Sequence, residues 1–136
     1  MKTRSANTTK STGQQKNNTT SGSTSEHQRL VHSVLLSLGS HPQIRLWKQT
    51  TGRALIGSRF ISFGLKGSAD LSGIVSGGVR LEIECKTGEA TQSKEQLAFE
   101  SMINRMGGIY ILARSVEQAY DQLQEICSKR GIQLRE

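Results

Sequence analysis

Residues 67–86 read GSADLSGIVSGGVRLEIECK, and the rest of the chain is organised around them. An apolar run follows Asp70. A Gly-rich turn, Ser76-Gly77-Gly78, breaks it, and Val79 to Lys86 then alternates. Alternation marks a strand with one buried face. Side chains two apart share a face, so Glu82, Glu84 and Lys86 point one way and Leu81, Ile83 and Cys85 the other. A loop this short and Gly-rich predicts a hairpin. Counting back from it, Val75 pairs near Val79 and Asp70 near Glu84, which makes the acids neighbours at one end of a sheet.

On the C-terminal side, Thr87-Gly88 leaves the strand and a helix is predicted over Ser93–Met106, with Ser93 and Gln96 as a capping box. Its stripe is Phe99, Met102, Ile103 and Met106, and Gln96, three residues before Phe99, leans inward. Gly107-Gly108 stops the helix. Ile109 to Arg114 is nearly all apolar, as in a sheet interior. Ser115 with Gln118 caps a last helix with the face Val116, Ala119, Tyr120, Leu123, Ile126 and Cys127. On the N-terminal side, residues 43–64 read as one or two strands around the turn Thr51-Gly52-Arg53. Before them a first helix opens at Glu26 behind a capping box of Ser25 and Gln28, with Leu30, Val31, Val34, Leu35 and Leu38 as its stripe. Glu26 lies four residues before Leu30, so it projects from the inward edge. It is either a site acid or a first-turn acid that favours the positive end of the helix dipole. The order predicts an α/β sandwich with a central mixed sheet flanked by helices.

The 136 residues suit one domain, and the net charge is +7. Residues 1–25 hold Lys2, Arg4, Lys10 and Lys16, no acid and no large apolar residue after Met1. This Ser/Thr/Asn-rich basic stretch predicts a disordered tail, serving either as a basic arm for DNA or as a solvated end. The folded domain is expected over 26–136. Lys48, Arg53, Arg59 and Lys66 form its basic part, either phosphate contacts or a solvated sheet face, with Lys66 and Arg53 favoured because Gly-flanked cations sit in exposed turns. Cys85 and Cys127 fall on buried faces, which with no leader predicts a reducing cytoplasm. His27, His32 and His41 lack a zinc-ligand spacing and are expected on surfaces or helix faces. No apolar run is long enough to span a bilayer.

Asp70 and Glu84 offer hard oxygen ligands from adjacent strands, which suits Mg²⁺ or Mn²⁺. The Cys85 backbone carbonyl is placed to be a third ligand. Lys86 lies on the same strand face, where an ammonium would orient or deprotonate a nucleophilic water and offset charge on a phosphorane-like state. Glu82 shares the face but lies further from Asp70 and is a lesser candidate. The alternative is a solvated Glu–Lys ladder.

The set of an acid, a spacer, Glu-x-Lys and a preceding helix with a Glu resembles the PD-(D/E)XK nuclease superfamily. The closer similarity is to its virus-type replication–repair nuclease branch, the VRR-NUC domain. It is carried by Glu26, WKQTTG at 47–52, GSAD at 67–70, LEIECK at 81–86 with SKEQ at 93–96, and GGIYILARSVEQA at 107–119. The family's proline before the first acid is Ala69 here, a change that removes no ligand. The resemblance implies a restriction-endonuclease-like αβββαβ(α) core. Asp70, Glu84 and the Cys85 carbonyl would hold Mg²⁺ or Mn²⁺, Glu26 a metal-bound water, Lys86 would be the catalytic lysine, and Gln96 the glutamine of the following helix. It further implies a homodimer that cuts branched DNA such as Holliday junctions, in a phage or its bacterial host. A flap-cutting or restriction-like nuclease, or a DNA-binding module with a vestigial site, remain alternatives.

Overall fold

The computed structural model describes residues 25–135. The tail expected over 1–25 therefore lies, except for Ser25, outside the described residues. The elements run α1 (Glu26–Gly39), β1 (Ile44–Lys48), β2 (Gly52–Ile56), β3 (Arg59–Phe63), β4 (Leu71–Val75), β5 (Val79–Cys85), α2 (Lys94–Arg105), β6 (Ile109–Ala113) and α3 (Val116–Lys129).

Strands β1, β4, β5 and β6 form one mixed sheet in that spatial order, antiparallel from β1 to β5 and parallel between β5 and β6. Strands β2 and β3 pair only with each other among the described residues, as a separate antiparallel ribbon. With the ribbon set aside, the order is helix, three strands, helix, strand, helix. The hairpin register read from the Gly turn holds: Val75 faces Val79, and Leu71 faces Ile83. The expectation of one or two strands over 43–64 is corrected to three in two sheets. Alternation reports that a strand exists, but not which partner it joins.

One side of the sheet is the main core. Leu71, Leu81, Ile83, Cys85 and Ile111 pack there against Val31, Val34 and Leu38 of α1 and Ala119, Leu123 and Cys127 of α3. Leu81 and Ile83 have no exposed surface, and truncating either to alanine costs about 2–5 kcal/mol. On the other side α2 lays Phe99 and Ile103 over Ala69 and Tyr110. The α2 stripe is shorter than expected. Met106 is 77% exposed because the helix ends at Arg105 and Met106 serves as its C-cap.

This second layer corrects the reading of β5 as a strand with one buried face. On the face that α2 covers, Glu82 and Glu84 are buried as deeply as Ile83 between them. Glu82 is satisfied by Ser72 Oγ–H at 2.8 Å and Arg80 Nε–H at 2.6 Å. Its carboxylate is thus an element of the fold, engaged away from Asp70.

Candidate active site

Asp70 stands one residue before β4, at the sheet end where β1 stops. Its backbone carbonyl accepts from Gln49 N–H at 2.9 Å, continuing the β1 ladder by one step. Its side chain reaches the other way: Oδ2 accepts from Cys85 N–H at 2.8 Å. Asp70 is therefore fixed between two strands by two backbone donors, one on its carbonyl and one on its carboxylate. Lys86 N–H in turn donates to Ala113 O at 3.0 Å, which ties the end of β5 to β6.

Glu84 is 2% exposed and lies on the α2 side of the sheet. Its Oε1 accepts from Gln96 Nε2 at 3.1 Å and lies 3.4 Å from Lys86 Nζ. Its Oε2 is buried and has no hydrogen-bond partner. Burial first, and the Asp70 charge second, push its carboxyl up to about 7, with Lys86 opposing. Burial and the same two carboxylates push the Cys85 thiol up to about 12, so this sulfur is an inert core group on the opposite face. Neither cysteine is in a disulfide.

Gln96 has two tasks. Its Oε1 accepts from Ser93 N–H at 2.9 Å while Ser93 Oγ accepts from Gln96 N–H at 3.2 Å, the reciprocal capping box expected from SKEQ. The same amide presents its NH₂ to Glu84. Gly67 brings the preceding loop against this helix start. It sits at φ +82°, and a Cβ there would meet Glu95 O at 2.4 Å, so only glycine fits. The other two caps hold as well, although Gln118 bonds Arg114 N–H rather than completing a box on Ser115.

Four of the expected site residues, Asp70, Glu84, Lys86 and Gln96, thus meet at one sheet end, beside the Cys85 backbone. Glu26 does not join them. It is exposed, and among the described residues no hydrogen bond or ion pair links it to either acid. The residue of α1 that reaches the site is His27, whose Nε2 lies 3.2 Å from Asp70 Oδ2. The buried stripe of α1 is Val31, Val34 and Leu38. Extending it back four residues gives His27, whereas Glu26 is four residues before Leu30, which lies at the margin of that stripe.

Among the described residues no three His, Cys, Asp or Glu side chains group closely enough to hold a metal between them. An ion here would rest on two carboxylates and fill its shell with backbone oxygen and water, as Mg²⁺ commonly does. The donor set fits such an ion: a buried carboxylate oxygen without a donor is costly, and a cation would satisfy it. The cations expected to meet DNA, Lys48, Arg53, Arg59 and Lys66, are all exposed. Arg53 lies 5.2 Å from the Phe60 ring centroid, and Lys66 Nζ lies 3.3 Å from Glu95 Oε1.

No protein-family model, no curated protein and no solved structure matches the chain. No described helix is long and apolar enough to cross a membrane.

Proposed function

We propose that the chain is a Mg²⁺- or Mn²⁺-dependent DNA endonuclease of the VRR-NUC type, in the PD-(D/E)XK superfamily, acting on branched DNA. The observation that carries this reading is the unsatisfied Glu84 Oε2, buried beside Asp70 and Lys86 at one sheet end. A solvated Glu–Lys ladder would leave both carboxylate oxygens to water; this one is withheld from water and from every described donor. The element order, with the ribbon set aside, accords with a restriction-endonuclease-like αβββαβ(α) core.

The metal would bind to Asp70, Glu84 and the Cys85 carbonyl, and when bound it supplies a water nucleophile near neutral pH and neutralises phosphoryl charge. The chain's own residues do the rest. Cys85 N–H and His27 hold Asp70 in position, and the Gln96 amide holds Glu84 Oε1. Lys86, 16% exposed, keeps its ammonium beside Glu84, where it can orient the attacking water and offset charge on the phosphoryl oxygens. A homodimer would carry two such sites for two symmetric nicks across a junction.

The test is a panel of four-way junction, flap, nicked duplex and single strand, each with Mg²⁺, Mn²⁺ or EDTA. Cleavage of the junction with either metal and none in EDTA is expected. Lys86→Ala and Asp70→Ala should each abolish cleavage while junction binding persists. Both variants cutting at the wild-type rate would overturn the assignment. Equal cutting of linear and branched DNA would remove branch selectivity, and binding without cleavage of any substrate would favour a non-catalytic DNA-binding module.

A further inference from the structure

We infer that the base of the β2–β3 ribbon is a pocket for an unpaired nucleotide of a DNA strand. The choice of DNA rests on the proposed nuclease function; the nucleotide chemistry rests on the pocket.

A cavity of about 400 Å³ opens where the ribbon leaves the domain, lined by Thr51, Gly52, Arg53, Ser62, Phe63 and Lys66 among others. This size is within the range of small-ligand sites, roughly 300–1,000 Å³. Its wall is one aromatic ring. Phe63 pairs with Gly52 across the ribbon, and a Cβ on Gly52 would come 2.7 Å from Phe63 Cζ. The ring therefore rests on bare backbone, which fixes it, while Phe63 stays 43% exposed. A ring held on one side and open on the other is a platform for a flat partner. Lys66 and the Thr51 hydroxyl share its lining, while Arg53 and Ser62 line the cavity from the next pair along the ribbon, whose side chains turn to the other face, where Arg53 lies 5.2 Å from the Phe60 ring centroid. A ring for stacking, a cation for a phosphate and a hydroxyl for a polar edge are what a nucleotide requires. Lys66 is paired with Glu95, but both partners are exposed, and such pairs are weak enough for a phosphate to replace.

Charge favours a nucleic acid over a second copy of the chain. Residues 27–69 contain Arg29, Arg45, Lys48, Arg53, Arg59 and Lys66 and no acidic residue. Two such surfaces repel each other, whereas a polyanion is attracted. The ribbon itself asks for a cover. A lone two-stranded ribbon is marginal in water, and here Leu55, Phe60, Ile61 and Phe63 are all exposed. Position completes the argument. The ribbon is inserted between Lys48 and Leu71, which pair with each other at the sheet end that carries Asp70. Lys66 and Gly67 then lie against the start of α2, whose Gln96 bonds Glu84. A base drawn out of a branch point and seated on Phe63 leaves its strand running towards the two carboxylates.

The test is fluorescence anisotropy in EDTA, so that cleavage plays no part. The probes are a labelled 12-nucleotide oligo-dT, a blunt duplex of the same length, and dTMP as competitor. Phe63→Leu is expected to weaken oligo-dT binding roughly 5- to 150-fold, the range for losing one stacked base, with duplex binding changed less than twofold. Phe63→Trp, which keeps a ring, should bind oligo-dT within about threefold of wild type. Phe63→Leu binding oligo-dT as wild type does, or Phe63→Trp losing as much as Phe63→Leu, would overturn the pocket. Binding of dTMP tighter than that of the strand would overturn the strand as occupant. Because EDTA removes cleavage from the readout, a nuclease without this pocket and a pocket on a protein that cuts nothing give different results.

Discussion

Glu84 keeps one carboxylate oxygen away from both water and donors, and this makes its titration measurable as stability. Its carboxyl is raised from 4.5 to about 7 in the fold, chiefly by burial. A raised acid is held more firmly in its protonated form by the native state than by the unfolded chain. Its contribution is therefore full below pH 4.5 and is lost as pH rises through about 7. The lost amount is about 3 kcal/mol. Glu84→Gln mimics the protonated form permanently. Without divalent cations it should unfold several degrees above wild type at pH 8, and the two melting curves should converge by about pH 4.5, where wild type is protonated too. Millimolar Mg²⁺ should raise the wild-type melting temperature at pH 8 and leave the variant unmoved. A variant less stable than wild type at pH 8 would refute the account. Asp70, Glu84 and Lys86 were legible as a group because a two-residue strand period and a short Gly turn leave little freedom of register. The burial of Glu84 was not, since it comes from α2, ten residues further on. Nor was His27, because a helix face is read from its stripe, and five apolar residues define two stripes only one residue apart.

At the scale of an element, α2 joins the fold to the chemistry through a single side chain. Gln96 closes the capping box with Ser93 and donates to Glu84 Oε1. These roles separate under substitution. A capping box accepts Glu as readily as Gln, so Gln96→Glu preserves the helix start. It also turns a donor into a carboxylate facing a carboxylate, which raises proton affinity further. The expected result is a helix start intact by circular dichroism, but cleavage at pH 7 falling by 10-fold or more and partly restored at higher Mn²⁺. Unchanged cleavage by Gln96→Glu would show that the Gln96–Glu84 contact has no part in the reaction. The SKEQ pattern revealed the cap, and the inward lean of Gln96 followed from its spacing to Phe99. The ribbon was harder to read. The turn expected at Thr51-Gly52-Arg53 lies instead at Gly57-Ser58, with Gly52 and Arg53 opening β2, and nothing local says that this hairpin leaves the main sheet. Its separation is decided by β4, which pairs directly with β1 from Lys48–Leu71 onwards and closes the sheet without it.

Across the whole molecule, charge is divided along the chain and therefore across the sheet. The cations between residues 27 and 69 belong to α1, edge strand β1, the ribbon and the loop after it. From residue 70 onwards the chain carries eight basic and ten acidic side chains, on β5, α2, α3 and the segments that flank them, with none on β4 or β6. The sum of +7 understates this division, since the β1 side has no acid to offset its cations after Glu26. A duplex arm should thus lie along the β1 side and pass the Asp70 end of the sheet, with the opposite side turned away. Arg29 and Lys48 already share one surface cavity, next to His32 and Ser33. Each cation that meets a phosphate adds about 0.9 to the slope of log affinity against log salt. Replacing Arg29, Arg45 and Lys48 together with Gln should lower that slope by about 2 to 3 on a four-way junction in EDTA. Replacing Lys94 and Lys129 should lower it by less than about 0.5. Slope losses in the ratio 3 to 2, the ratio of the charges removed, would mean that DNA does not approach from the β1 side, because a field without direction responds only to how many charges are removed.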